Sequence, residues 1–166
     1  MAKTQQITFD LNHGDNRFRW RAYFDAYQID RNEEGVVLYF AFTGLMNGHS
    51  PSIATVFLDH KSLNRAFDVS RQYFESMGVP DPAPKRILPS GKVHSPEFAN
   101  HMTLAHSQGV GEIGLYTILI HDLATIIRRN ENSKEVPVAT TLPVAVFHAN
   151  FAIYHQFLTD LFSEIK

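Results

Sequence analysis

Ile53-Ala-Thr-Val-Phe-Leu58, then Asp59, then the apolar positions Leu63, Ala66, Phe67, Ser70, Tyr73, Phe74 and Met77 decide how this chain is read. The first six residues are β-branched, aromatic or small, the composition of a strand. Asp59 has the side chain that accepts the first free amides of a helix, and the apolar positions behind it recur three and four apart, as one helical face does. Gly78 and Pro80 follow where a helix stops. A strand running through a cap into an amphipathic helix excludes an all-β or an all-α chain.

The same order recurs downstream. Pro51-Ser-Ile-Ala-Thr-Val-Phe57 and the segment from Leu63 to Met77 have a counterpart in Pro137-Val-Ala-Thr-Thr-Leu142 and the segment from Phe147 to Ile165. Ala54-Thr55 aligns with Ala139-Thr140, and Phe67 and Phe74 with Phe151 and Leu158; upstream, Ala22 aligns with Ala99 and Leu38-Tyr39 with Leu115-Tyr116. Recurrence of this kind is the mark of an internal repeat. Each half reads strand, strand, strand, helix. In the first, Phe18, Trp20, Ala22 and Phe24 alternate with Arg17, Arg19 and Arg21, so this strand is expected to bury one face and to form a hairpin with the strand Val36 to Thr43. In the second, Asn100 to His106 and Leu115 to Ile120 read as strands, and Asp122 to Arg129 as a short helix.

Between the halves, Pro80, Pro82, Pro84, Pro89 and Pro96 crowd into Val79 to Glu97, which excludes a helix or an inner strand there. The organisation expected is a first β-β-β-α module over 1–78, a proline-rich linker over 79–97 and a second module over 98–166, with one shared core. The fold class is α+β, with antiparallel sheets packed against helices.

The chain has 166 residues, 44% hydrophobic and 19% charged, with 13 Phe, 6 Tyr and one Trp, so it has the apolar surface to fold around an aromatic core. A formal charge of −2 excludes bulk attraction to nucleic acid or to an anionic membrane. With no Cys there is no disulfide framework, thiol nucleophile or zinc-thiolate site. The opening MAKTQQITFDLN has no apolar signal core, and a cytoplasmic protein that does not enter a membrane is expected.

Gly109-Val-Gly-Glu-Ile-Gly114 matches G-x-G-x-x-G, with Glu131 and Glu135 near the spacing of a ribose-binding acid. The residues that follow are β-prone, and a dinucleotide site needs a helix N-terminus there; a glycine-rich hairpin turn is the competing reading. Ser90-Gly91-Lys92 lacks the first glycine and the final Ser or Thr of a phosphate loop. His101 and His106, five apart on a strand, point to opposite faces, whereas His148 and His155, seven apart on one helix, would face one way without a third ligand. No nucleophile elbow or H-E-x-x-H is present. No catalytic residue, cofactor or metal is expected, and the chain reads as a non-enzyme.

Two surfaces remain. Arg17, Arg19 and Arg21 on one strand face are candidates for nucleic-acid contact, arginines on phosphates beside rings under bases; the alternative is a solvated face that discourages edge pairing. The last helix carries Phe147, Phe151, Tyr154 and Leu158 on its main stripe, with Ile153 and Phe157 off it. It is apolar round too much of its circumference for one contact, so these six residues are candidates for a homodimer interface.

Ser95-Pro-Glu-Phe-Ala-Asn100, His106-Ser107 and Val138-Ala-Thr-Thr with the final segment resemble a small uncharacterised bacterial family of single-module αβ chains, over roughly 95–165 and more faintly over 20–78. Gln108 stands where that family has proline. Tandem modules of this order also resemble the PUR and Whirly-type single-strand binders, and Leu142-Pro-Val to Leu158 is similar to the end of SecB-type export chaperones. The reading is a non-catalytic binding or assembly protein acting through protein–protein contacts as a homodimer. The alternatives are a single-stranded nucleic-acid binder of PUR/Whirly-like architecture and a SecB-like chaperone.

Overall fold

The computed structural model describes residues 20–43, 52–81, 87–120 and 139–163. In chain order the elements are β1 (Trp20–Tyr23), β2 (Ala26–Arg31), β3 (Gly35–Ala41), β4 (Ser52–Asp59), α1 (His60–Ser76), β5 (Lys92–Val93), β6 (Glu97–Ala99), β7 (His101–Ser107), β8 (Val110–Ile120), β9 (Ala139–Asn150) and α2 (Phe151–Phe162). The class is α+β, with mainly antiparallel pairing.

The halves do not build separate sheets. One sheet runs β1-β9-β8-β7 and the other β2-β3-β4-β5, with β6 also on β4. The chain from β1 to β2 bends at Asp25 and changes sheet: the Phe24 amide donates to the His148 carbonyl and the Asp25 amide to the Ala41 carbonyl. The chain from β6 to β7 makes the same change at Asn100, whose amide donates to the Tyr116 carbonyl. Since β1 is parallel to β9 and β6 parallel to β4, the pairings close on themselves round six chain segments. The hairpin expected between the first strand and Val36 to Thr43 is therefore corrected. β3 pairs with β2, which begins beyond that strand, while β1 lies along β9.

Register is the same in both halves. Matching Asp25 with Asn100 and Asp59 with Asn150 carries Ala26↔Ala41 onto His101↔Tyr116, Gly35↔Asp59 onto Val110↔Asn150, and Ala22↔Phe147 onto Val56↔Glu97. The correspondence holds up to the irregularity at Leu115/Tyr116. It differs from the alignment read in sequence, by two positions upstream and by more downstream, because the matching residues are structurally rather than chemically alike.

Both helices begin without a loop. Asp59 accepts from the Ser62 amide at 2.6 Å, and Asn150 from the Ile153 amide at 2.9 Å, so each strand ends in a residue that caps the helix after it. α1 ends at Ser76, just before Met77 and Gly78. α2 begins at Phe151, not at Phe147, which is on β9. The C-terminal carbonyls of Asp160 and Leu161 accept from the Arg31 guanidinium, both at 2.8 Å, a cation where the helix dipole is negative.

The buried cluster draws on both halves, from Val36, Leu38, Phe40 and Leu58 to Ile113, Leu115, Phe147 and Phe157. α1 lies against β3, β4 and β7, and α2 against β2, β8 and β9, so each helix packs on strands of both halves. Phe24, Phe40, Tyr27, Phe147 and Phe157 form its aromatic centre, with Phe40 and Phe147 stacked at 4.2 Å. The one-face burial expected of the first strand is not found on β1, where Ala22 is exposed; Phe24, beyond it, is buried. The expected helix over Asp122 to Arg129, and Glu131 and Glu135, lie outside the described residues.

Candidate functional site

The six residues assigned to a dimer contact are taken up by the chain itself. Phe147, Ile153, Tyr154, Phe157 and Leu158 are buried in the core, and Phe151 packs half-buried against it. The second partner that the helix requires is supplied internally. Phe67 and Phe74 of α1 meet Phe162 at 5.1 and 5.8 Å, and the rings of Phe74 and His155 stack at 5.6 Å.

Gly109 lies in a two-residue turn between β7 and β8, Gln108 at φ 53° and Gly109 at φ 79°, the left-handed pair of a tight hairpin. Val110 to Gly114 continue as strand, so no helix N-terminus follows the glycines. Gly111 is required for a different reason: a Cβ there would fall inside the ring of Tyr154.

Of the three arginines, Arg17 and Arg19 lie outside the described residues, and Arg21 is exposed on β1. Alternation along β1 puts Tyr23 on the same side as Arg21. Tyr23 is 60% exposed, and its ring lies 5.4 Å from that of His148 on the neighbouring β9. His148 Nε2 stands 3.0 Å from the Glu112 carboxylate on β8. Further across, Tyr116 and His101 meet at 6.1 Å on β8 and β7. This outer face of the four-stranded sheet carries arginine, tyrosine, histidine and glutamate together. His148 and His155, expected on one helix, are on a strand and a helix and point to different neighbours.

A second polar group joins both helices to β7. The Tyr154 hydroxyl is 2.9 Å from that of Tyr73, which is 2.6 Å from His106 Nδ1. The Tyr73 hydroxyl thus links the Tyr154 hydroxyl to the His106 ring. Burial, followed by the bond to Tyr73, pushes the Tyr154 phenol well above its usual range, so it stays a neutral donor. Burial likewise raises Tyr73. Tyr27 is raised by burial and by its hydrogen bond to Asp160. The sequence signal for Tyr73, present in the α1 stripe, was absorbed as core.

The His101 pKa is lowered from 6.5, first by burial and then by the Arg65 guanidinium. Among the described residues no group of three His, Asp or Glu side chains is placed to hold a metal ion, and no helix is long and apolar enough to cross a membrane. Comparison with known proteins finds no family model, no curated protein and no solved structure that matches this chain.

Proposed function

We propose that the protein is a non-catalytic binding protein that acts through protein–protein contacts, with the outer face of the β1-β9-β8-β7 sheet as its contact surface. The observation that carries this reading is Tyr23, largely exposed beside Arg21 on one side and the His148 ring on the other. Tyrosine and arginine on a rigid strand present large contact area at low entropic cost and are enriched where interfaces hold their binding energy. Glu112 in the middle of the face makes it electrostatically mixed, which suits a protein partner better than a phosphate chain.

A second copy of this chain is the first partner to test, meeting through this face instead of the buried final helix. Light scattering over a concentration series is expected to show association that Tyr23→Glu abolishes while the variant keeps its thermal midpoint. A monomer at all concentrations, or association that Tyr23→Glu leaves intact, removes self-assembly through this face.

Single-stranded nucleic acid is the second reading, favoured by Arg21 and Tyr23 sharing one face. It predicts oligonucleotide binding that weakens steeply with salt, through counterion release. No binding of a mixed-sequence oligonucleotide at low salt eliminates it. For a SecB-like apolar groove, Leu142 is exposed while Phe147, Phe157 and Leu158 are buried, so a groove would have to lie elsewhere than on α2.

A further inference from the structure

β1 is the marginal strand of its sheet, and the ladder decides which of its backbone groups look outward. The Phe24 amide donates to the carbonyl of His148, the register partner of Tyr23. In a parallel pair this turns the backbone groups of Ala22 and Phe24 toward β9 and those of Arg21 and Tyr23 away from it. The common register shows what closes the matching margin in the other half. There Tyr23 corresponds to Phe98, whose carbonyl accepts from Thr117 Oγ1 at 2.6 Å. Thr117 corresponds to Phe42, which has no hydroxyl to offer, so the margin at Tyr23 lacks this cover. Arg21, Ala22 and Tyr23 are all exposed, and β1 holds no proline to block the addition of a strand.

We propose that this margin pairs with the same strand of a second copy, antiparallel about Ala22, so that two four-stranded sheets join into one continuous sheet. The inference rests on the self-association reading above and says how the two copies meet. The strand is complementary to itself. Antiparallel pairing about Ala22 sets Arg21 opposite Tyr23 of the second copy, and Tyr23 opposite its Arg21. These are the residues whose amides and carbonyls look outward, so each of the two pairs exchanges both backbone hydrogen bonds. The same pairs put a guanidinium beside a phenol ring on the outer face, an attractive cross-strand contact where another register would set like charges together. At the two-fold axis stands Ala22. A residue pair between two hydrogen-bonded pairs brings its Cα atoms to about 4.5 Å, and the small side chain fits there. The seam runs along the edge of the proposed contact face, because Tyr23 and Arg21 belong to both.

The test is cross-linking of the full chain. The sequence has no cysteine, so Ala22→Cys carries a single thiol. Facing Cα atoms at about 4.5 Å lie within disulfide reach. Mild oxidation of Ala22→Cys is expected to yield a covalent dimer at concentrations where Val69→Cys, at a 73% exposed position of α1, yields none. Arg21→Pro removes an outward amide and keeps the bonds to β9; it should abolish association in light scattering while the thermal midpoint is kept. Arg21→Ala, which keeps the amide and loses both ring contacts, should weaken association about tenfold. Ala22→Cys that cross-links no more readily than Val69→Cys, or Arg21→Pro that still associates, overturns the proposal. Association that Tyr23→Glu abolishes while Ala22→Cys stays uncross-linked removes the strand pairing and leaves the contact face standing. A monomer at every concentration removes both.

Discussion

Asp25 and Asn100 hold the same post in the two halves: each sits where a strand passes from one sheet to the other, and each fixes the residue that follows the neighbouring strand position. Asp25 accepts from the Thr43 amide at 2.7 Å and from the Thr43 hydroxyl. Asn100 accepts from the Ile118 amide at 2.7 Å and donates to the Ile118 carbonyl at 3.0 Å. The positions match, but the chemistry differs by one donor.

That difference predicts unequal exchanges. Asp25→Asn keeps an acceptor for the Thr43 amide and offers the hydroxyl a donor, so it should be mild. Asn100→Asp sets a carboxylate against the Ile118 carbonyl and should cost about 1–3 kcal/mol, the range for a lost bond with its polar group left facing another. Denaturant unfolding of the two variants checks the order; equal costs would contradict it.

The strand-ending caps should each be worth about 1 kcal/mol, so Asp59→Ala and Asn150→Ala lower stability by about 0.5–2 kcal/mol. The bond from Ser62, through its amide first, holds the Asp59 carboxyl below its usual value of 3.8. Its contribution is therefore present above pH 3.8 and is lost as pH falls through the lower folded value. Acid unfolding of wild type against Asp59→Asn reads this directly, since asparagine caps without titrating.

Tyr154 and Gly111 should behave as one unit. Gly111→Ala drives a methyl into the ring and is expected to cost about 1–3 kcal/mol by overpacking. Tyr154→Phe removes the hydroxyl that bonds Tyr73, at about 1–3 kcal/mol. A double variant that loses much less than the sum would show the coupling, measured as a double-mutant cycle.

His101 gives the folded protein a reason to dislike mild acid. Its folded pKa lies below 6.5, so under that pH the unfolded chain binds a proton that the folded one refuses. The thermal midpoint should be flat in this respect above pH 7 and fall from about pH 6.5 downward. His101→Gln should flatten part of that slope, and identical slopes in the two proteins would refute the assignment. Arg65→Gln should relieve the smaller share of the shift.

The strand, cap and helix from Ile53 to Met77 were legible because each signal there is local: β-branched residues, an Asp side chain that reaches three residues on, and an apolar spacing. The partner of β1 was not, since nothing in Trp20 to Tyr23 names β9 over a hundred residues away. The apolar excess of α2 asks for a second contact, but composition does not say that Phe67 and Phe74 of the same chain meet Phe162. Arg21 was legible as part of an exposed strand face, and alternation places Tyr23 beside it, but that Tyr23 lies against His148 depends on the pairing of β1 with β9, which no local signal announces.

The crossing of each half's first strand to the last strand of the other has a kinetic consequence. Trp20 to Tyr23 leaves the ribosome early, yet its hydrogen-bonding partner, Ala139 to Asn150, is made near the end of the described chain. The ring cannot close during most of synthesis, and contacts of such long sequence separation make folding slow. Until then the nascent chain carries an open strand edge, so folding yield should depend on what shields that edge more than on the stability of the finished barrel.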